Sequence, residues 1–354
     1  MKTVLSTITI TLMAAATASA AFNAAEFPPL NAVPPITSPQ VQEWLKAINL
    51  ADVPVFPKSK GNPPVCPPAA TLPADQCYRS CQSCRGDDIV TCPTPGVWGL
   101  TFDDGPTVFT PQLLTALKEN KLKATFFVMG TNVVQNPTIL KQEFDEGHHL
   151  ASHTWSHQAL TTLSNEEIVA ELKWTEKAVF DITGMRMKYV RPPYGDIDNR
   201  VRAVIKKLGL IIVDWTSDAF DSKDFNLNAA PTEANLATAV TAFSASLTTY
   251  GANPGAKGII TLEHDLTQVT VDFAKRILPV ATSAKLKIQS IDDCLGDKLP
   301  YQNSKAPANN GTTGGNGTGT GKPGDGKGNA ASSVGAKVVM TVSLAVIAAA
   351  LSAF

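Results

Sequence analysis

Short apolar runs alternate with amphipathic stretches between Cys92 and Gly296. The apolar runs are rich in β-branched and aromatic residues, which is typical of buried strands. They predict strands at 97–102, 124–129, 188–191, 210–215, 258–263 and 286–290. The amphipathic stretches predict helices at 111–120, 165–182, 199–208, 233–249 and 269–284. This order indicates an α/β fold in which helices join parallel strands, either as a barrel or as a doubly wound sheet.

The first twenty residues have the pattern of a secretory signal peptide. An apolar run follows Lys2 and ends in the small residues Ala18-Ser19-Ala20, which is typical of a cleavage site. A retained membrane anchor is the alternative, but the run is short for a bilayer span. We therefore expect residues 1–20 to be removed from a secreted protein.

The other end of the chain resembles a GPI attachment signal. Residues 338–354 are apolar and no basic residue follows them, whereas small residues at 328–333 offer an attachment site. A retained tail-anchoring helix is the alternative. Attachment of a GPI lipid would place the protein at the plasma membrane.

The segment before this signal, residues 306–329, is rich in Gly, Asn, Thr and Lys and cannot bury a core. We expect a flexible tether that carries N-glycans at Asn310 and Asn316, which begin two sequons. The chain then divides into a signal peptide (1–20), a Pro/Cys-rich N-terminal extension (21–92), an α/β domain (93–297), a tether with the attachment site (298–333) and a removed propeptide (334–354).

Cysteine usage supports an oxidising compartment. Five of the six cysteines lie between Cys66 and Cys92, and the sixth is Cys294. Because five cysteines cannot all pair among themselves, full oxidation requires one bond from this stretch to Cys294, although the sequence leaves the partner open. The stretch itself is either a stapled extension of the domain or a small carbohydrate-binding element. The net charge of −1 gives no indication of nucleic-acid binding, and we expect a monomer.

Candidate chemistry begins with two adjacent carboxylates, Asp103 and Asp104, at the end of the first predicted strand. Adjacent side chains point in different directions, so one carboxylate can bind a metal while the other faces a substrate. An ordinary Asp-Gly turn is the alternative. His153 and His157 have the spacing that places two imidazoles on one helical face, and with one carboxylate they would form a two-His, one-Asp metal site.

Five motifs in order resemble those of the polysaccharide deacetylases of carbohydrate esterase family four. They are Thr101-Phe102-Asp103-Asp104-Gly105-Pro106, His153-Thr154-Trp155-Ser156-His157, Arg191-Pro192-Pro193-Tyr194-Gly195, Asp218-Ala219-Phe220-Asp221 and Leu262-Glu263-His264-Asp265. Within the family, the fungal chitin deacetylases are the closest in layout. The resemblance implies a distorted (β/α) barrel, to which the disulfide-stapled N-terminal extension is added.

The resemblance also implies the residues of a hydrolytic site. A divalent metal, zinc or alternatively cobalt or manganese, would be held by Asp104, His153 and His157. Asp103 would be the general base, oriented by Arg191. His264 would be the general acid, supported by the carboxylate of Asp221. These roles suit the residue types, since three protein ligands leave metal positions open for water and substrate.

On the substrate side, the resemblance assigns the backbone N–H of Tyr194 to an oxyanion and Leu262 to the acetyl methyl group. Trp155 and Trp215 are candidates for stacking on sugar rings, although core packing is the default expectation for either. The family commonly has Trp directly after the second Asp of the fourth motif, where this chain has Ser222. His148 and His149 are expected to be structural or solvent-facing.

The implied activity is metal-dependent hydrolysis of the N-acetyl groups of N-acetylglucosamine residues in chitin, which gives chitosan and acetate at the fungal cell wall. Chitin or its oligosaccharides would then be the substrate. The five motifs act on the acetyl group rather than on the sugar, so another acetylated polysaccharide such as xylan is an alternative. A non-catalytic carbohydrate-binding wall protein is the third hypothesis for the function.

Overall fold

The computed structural model describes residues 22–305. The predicted signal peptide, both sequons and the GPI signal lie outside this range. Inside it, no helix is both long and apolar enough to cross a bilayer.

The strands are short and all lie after residue 96. They are β1 Val97–Gly99, β2 Thr101–Asp103, β3 Thr125–Val128, β4 His149–Ser152, β5 Tyr189–Val190, β6 Ile211–Ile212, β7 Ile259–Ile260, β8 Glu263–His264 and β9 Lys287–Gln289. The helices are α1 Pro39–Lys46, α2 Arg79–Gln82, α3 Thr110–Glu119, α4 Gly130–Gln135, α5 Pro137–Asp145, α6 Asn165–Thr183, α7 Asn199–Lys207, α8 Glu233–Ala252, α9 Gln268–Ile277, α10 Val280–Ser283 and α11 Ile291–Leu295.

All the paired strands are parallel and form a distorted barrel. Six of them are ordered β6-β5-β4-β3-β2-β8, and three are ordered β7-β1-β9. Leu100 joins β1 to β2 and continues the pairing, because its N–H donates to Gln289 O (3.0 Å) and its carbonyl accepts from Thr125 N (3.0 Å). Between β6 and β7, Thr216 closes the ring by donating its N–H to Ile260 O (3.0 Å) and accepting from Ile260 N (2.8 Å) at its hydroxyl.

The barrel wall is apolar on its helix side, and its interior combines apolar residues such as Phe127, Ala151 and Ile260 with a few buried polar groups. Phe102 and Phe126 pack side by side with ring centroids 5.5 Å apart and belong to the main core cluster beneath the helices. Inside, the fully buried Arg191 donates to Thr101 Oγ1 (2.7 Å) and lies over the ring of Phe127. The barrel prediction is therefore confirmed, and the doubly wound sheet is excluded.

The N-terminal extension packs onto the barrel. Phe27 stacks on Trp155 (6.0 Å), and Trp44 meets Trp174 edge to face (5.1 Å). The indole N–H of Trp155 donates to Pro29 O (3.1 Å). Trp155 is therefore a core residue, as the default expectation had it, and it is not a sugar-stacking residue.

Three disulfides staple the molecule, and the described residues contain no free cysteine. Two are local, Cys66–Cys81 and Cys77–Cys84, and the third is Cys92–Cys294, which spans 202 residues. The predicted bond to Cys294 is confirmed, and its partner is Cys92. This bond joins the end of the extension to α11, the last helix of the domain.

All the predicted elements are present; most of the strands have shorter bounds, whereas α6 and α8 extend beyond their predicted C-terminal ends. The run at 97–102 is divided into β1 and β2, the run at 258–263 into β7 and β8, and the helix at 269–284 into α9 and α10. The hydrophobic pattern did not predict α1, α2, α4, α5, α11 or β4. His148 and His149 are both 3 % exposed, so of the two expectations for them the structural one is correct.

Candidate active site

The candidate residues meet because parallel strands bring their carboxyl ends to one edge. The β2–β8 register pairs Asp103 with His264, and the β3–β4 register pairs Val128 with Ser152. His153 directly follows β4, and Arg191 directly follows β5. Asp103, Arg191 and His264 all follow or end strands that the sequence predicts, and the structure brings them to one edge of the sheet, whereas Asp218, at a similar position in the sequence, does not line the same cavity.

Asp104, His153 and His157 have the geometry of a metal site. One ligand atom from each lies within 4.8 Å of the others. Asp104 Oδ1 is 3.2 Å from His157 Nε2 and 3.5 Å from His153 Nε2. This oxygen is buried and has no hydrogen-bond partner among residues 22–305. A buried oxygen without a hydrogen-bond partner, facing two imidazole nitrogens, is a donor set that suits a divalent transition metal.

Hydrogen bonds on the far ring nitrogens orient both imidazoles. His153 Nδ1 donates to Arg191 O (2.8 Å), and His157 Nδ1 shares a hydrogen bond with Tyr194 Oη (3.1 Å). Each Nε2 is thereby directed toward Asp104. Burial lowers the pKa of His153 to about 3, with the neighbouring His157 adding to the effect, which keeps the ring in the neutral form that binds metals.

A loop, and not a helix, brings the two histidines together. Residues 153–159 follow β4 without helical structure, and the backbone is left-handed at Thr154 (φ 67°) and His157 (φ 57°). Such conformations cost energy in residues other than glycine and persist only where the surroundings hold them. The prediction of a shared helical face is therefore wrong, although both histidines reach the predicted site.

Glu171, a buried residue of α6, stabilises the loop through hydrogen bonds to its carboxylate. Its Oε2 accepts the backbone N–H groups of Trp155 (2.7 Å) and Ser156 (2.8 Å). Its Oε1 accepts from Ser156 Oγ (2.5 Å). Three bonds to one carboxylate fix the middle of the loop between the two histidines. Sequence reasoning missed this residue, since nothing in the helical pattern of α6 distinguishes it from other core-facing positions.

Asp103, the candidate base, lies beside the metal trio. Its Oδ1 accepts from Arg191 Nη1 (2.8 Å), and its Oδ2 is 3.8 Å from His153 Nε2. Burial raises the pKa of Asp103 to about 7, and the positive charges of Arg191 and His264 oppose that shift. The guanidinium also fixes the orientation of the carboxylate, as the resemblance implied for Arg191.

His264, the candidate acid, is paired with Asp224 instead of the predicted Asp221. Its ring Nδ1 donates to Asp224 Oδ1 (2.6 Å), and its backbone N–H donates to Asp224 Oδ2 (3.0 Å). Burial alone would lower the pKa of His264, but the contacts with Asp224 outweigh it and raise the pKa to about 10. The Nε2 edge remains available to a substrate.

The side chain of Asp221 is engaged elsewhere. Its Oδ1 accepts from Lys223 N (3.0 Å) in a local turn, and its backbone pairs with Leu262. The sequence did contain a signal for Asp224. The family commonly has an aromatic residue directly after the second Asp of the fourth motif, and Asp224 is followed by Phe225. Phe225 meets His264 edge to face at 5.8 Å. The aromatic ring expected at Ser222 therefore lies three residues further along.

These groups surround one cavity of about 490 Å³. Besides the metal trio, Asp103 and His264, its wall includes Tyr194, Trp215, Leu262, Asp221 and Phe225. Trp215 is 7 % exposed and is held from behind, since the Arg79 guanidinium lies 5.0 Å from its ring centroid. The exposed aromatic rings at the mouth belong to Tyr194 and Phe225.

Comparison with known proteins agrees with this geometry. Residues 91–213 match the polysaccharide deacetylase family. Chitin deacetylase 1 of Cryptococcus neoformans var. grubii is 41% identical over 305 residues, which are 83% of this chain and 64% of the relative. Chitin deacetylase 1 of Saccharomyces cerevisiae is 38% identical over 274 residues, covering 77% of this chain and 82% of the relative.

A solved structure shows the same fold. The chitin deacetylase of Colletotrichum lindemuthianum superimposes with a TM-score of 0.55 at 31% identity, covering 62% of this chain and 97% of that one. The chain spans just under two thirds of the Cryptococcus relative, 64% of its length.

Fold and site together define a parallel α/β barrel with a candidate metal centre at the carboxyl ends of its strands. The chain belongs to the polysaccharide deacetylase family, and the resemblance carried by the five motifs is confirmed.

Proposed function

We propose that the protein is a metal-dependent deacetylase that hydrolyses the N-acetyl groups of N-acetylglucosamine residues in chitin and releases chitosan and acetate. The observation that carries the proposal is the convergence of three metal-ligand side chains, a buried carboxylate and a paired histidine on one cavity. The names of the relatives in Cryptococcus and Saccharomyces support chitin as the substrate.

The metal would be held by Asp104 and by the Nε2 atoms of His153 and His157, and zinc is the ion we favour over cobalt or manganese. Two imidazoles and a carboxylate are common zinc ligands. When bound, zinc would acidify a water molecule and polarise the acetyl carbonyl. The Asp104 carboxyl is ready for this role: burial would raise its pKa, but the imidazoles of His157, His264 and His153 outweigh burial and hold the pKa below its usual range.

Asp103 accepts the proton of the attacking water, and Arg191 keeps its carboxylate in one orientation through the 2.8 Å bond. His264 donates a proton to the departing amine nitrogen. Its raised pKa keeps that proton in place at neutral pH, and Asp224 fixes the ring. The two groups lie on paired positions of β2 and β8, so base and acid approach the acetamide from neighbouring strands.

The substrate side of the cavity is formed by the remaining wall residues. Leu262 offers an apolar surface for the acetyl methyl group, and the backbone N–H of Tyr194 is a donor for the oxyanion. Trp215 is a buried residue that lines the cavity. The exposed ring of Phe225, beside His264, offers a stacking surface for a sugar.

We also propose that the protein acts outside the cell, at the cell wall. Three disulfides fit an oxidising environment. The GPI lipid, the N-glycans at Asn310 and Asn316 and the monomeric state remain predictions from the sequence.

Acetate release from chitin oligosaccharides tests the proposal. The purified protein should release acetate, lose the activity with a chelator and regain it with zinc. His153→Ala should lose both the metal and the activity, because it removes one ligand. Asp103→Asn should retain the metal and lose most of the activity. Acetate release from acetylated xylan but not from chitin would contradict the assigned substrate, and metal-independent release would contradict the mechanism.

A further inference from the structure

A hairpin of the N-terminal extension contacts the candidate metal site directly. Residues 59–65 turn back on themselves, with Val65 N donating to Lys60 O (2.7 Å). The hairpin precedes residues 91–213, which match the family. The disulfide Cys66–Cys81 ties its end to α2.

The side chain of Asn62, at the turn, makes two hydrogen bonds to the backbone of residues 157–159. Its Oδ1 accepts from Ala159 N (2.8 Å), and its Nδ2 donates to His157 O (3.3 Å). A side-chain amide that pairs with a donor and an acceptor two residues apart fixes the path of the backbone between them.

A second contact anchors the base of the hairpin a few residues further along the same loop. Ser59 N donates to Thr161 O (3.1 Å). The hydroxyl of the buried Thr161 also bonds to Tyr78 Oη (2.9 Å), another residue of the extension. Residues 157–161 are therefore held by the extension at both ends.

His157 requires such support. Its backbone is left-handed (φ 57°), a conformation that persists only when neighbouring structure over-determines it. Glu171 holds the loop at Trp155 and Ser156, on the side toward His153. On the side beyond His157, Asn62 supplies the nearest side-chain bonds to the loop backbone among the described residues.

We infer that Asn62 is a positioning residue for the metal ligand His157, and that the disulfide-stapled extension is part of the metal centre and not a separate carbohydrate-binding element. This inference rests on the proposed function, because it assigns Asn62 a role in the same metal site.

Asn62→Ala tests the inference. We expect the affinity of the apoprotein for Zn²⁺ to fall about tenfold or more, since residues that orient metal ligands typically contribute that much. Acetate release should fall at limiting zinc and recover in excess zinc, because the ligand itself remains. The amide of Ala159 should exchange with solvent faster, because its acceptor is gone. Asn62→Asp, which keeps that acceptor but loses the donor to His157 O, should give intermediate values.

Asn49→Ala is the matched control. Asn49 is also an exposed asparagine of the extension, and its Oδ1 accepts a backbone N–H, that of Ala51 (3.0 Å), but it does not contact the site. Zinc affinity and acetate release of Asn49→Ala should equal those of the wild type.

The outcomes separate the two proposals. Equal zinc affinity and equal Ala159 exchange in Asn62→Ala and Asn49→Ala, with an active wild type, would overturn the inference alone. A loss of activity in Asn62→Ala that excess zinc does not restore would also overturn it. A wild type that neither binds zinc nor releases acetate would overturn the proposed function, and the inference with it.

Discussion

At the scale of single residues, the pairing of His264 with Asp224 decides how the candidate acid behaves. The sequence identified His264 through its motif, and the strand register explains its position beside Asp103. The partner was assigned wrongly to Asp221 because the fourth motif was aligned on Asp218 and Asp221, although Asp224, which is followed by an aromatic residue, also fits the pattern. Which carboxylate reaches the ring depends on the turn at Lys223, where the backbone is left-handed (φ 53°).

Asp224→Asn should move the alkaline limb of the pH–rate profile to lower pH. The contacts with Asp224 raise the pKa of His264 to about 10. Without that charge the pKa falls toward its ordinary value, so the proton that the acid must donate is lost at lower pH. We expect a downward shift of more than about one unit in kcat/KM profiles measured from about pH 5 to about pH 11, a range that includes the wild-type limb.

Asp221→Asn is the comparison for this experiment, since Asp221 makes no hydrogen bond to His264 in the described chain. Its alkaline limb should stay in place. A shift in Asp221→Asn with none in Asp224→Asn would restore the assignment made from the sequence.

At the scale of elements, the loop after β4 shows where sequence patterns stop being informative. The helix α6 was predicted almost to its ends, since Ser164 and Glu167 form a capping box and Gly184 ends the helix in a left-handed conformation. The histidine spacing, in contrast, suggested a helix where the chain forms an irregular loop. The path of this loop depends on positive φ angles at Thr154 and His157. Such angles produce no periodic pattern of apolar residues, so the loop conformation could not be predicted from the sequence.

Glu171→Ala should destabilise this loop. The substitution leaves the buried N–H groups of Trp155 and Ser156 without their acceptor, and each unsatisfied group costs about 1–3 kcal/mol. We expect the free energy of unfolding to fall by about 2–5 kcal/mol in denaturant titrations. Zinc affinity should fall as well.

Glu166→Ala, at a partly exposed position in the first turn of the same helix, should change the unfolding free energy by less than about 0.5 kcal/mol. Equal losses in the two variants would mean that Glu171 does not hold the loop.

At the scale of the whole molecule, the disulfides join the extension to the barrel. Counting cysteines was enough to predict one bond to Cys294, because five cysteines cannot pair completely. The counting could not choose Cys92 or the two local pairs, since all three depend on how the extension folds over α7 and the loop before it. The barrel itself was predictable from alternating elements and the five motifs.

Removal of the long-range bond should cost more stability than removal of a local one. Cys92–Cys294 spans 202 residues and Cys77–Cys84 spans 7, and a crosslink restricts the unfolded chain more when it closes a longer loop. We expect the double variant Cys92→Ser/Cys294→Ser to lose about 3–5 kcal/mol of unfolding free energy. Cys77→Ser/Cys84→Ser should lose less, and the reverse order would contradict the argument from loop length.

The most direct test of the account is the position of the metal itself. Crystals of the zinc-loaded protein, measured at the zinc absorption edge, should show one anomalous peak about 2.0–2.2 Å from a carboxylate oxygen of Asp104 and from Nε2 of both His153 and His157. An anomalous peak bound by other residues, or none between these three side chains, would contradict the metal centre on which the proposed chemistry depends.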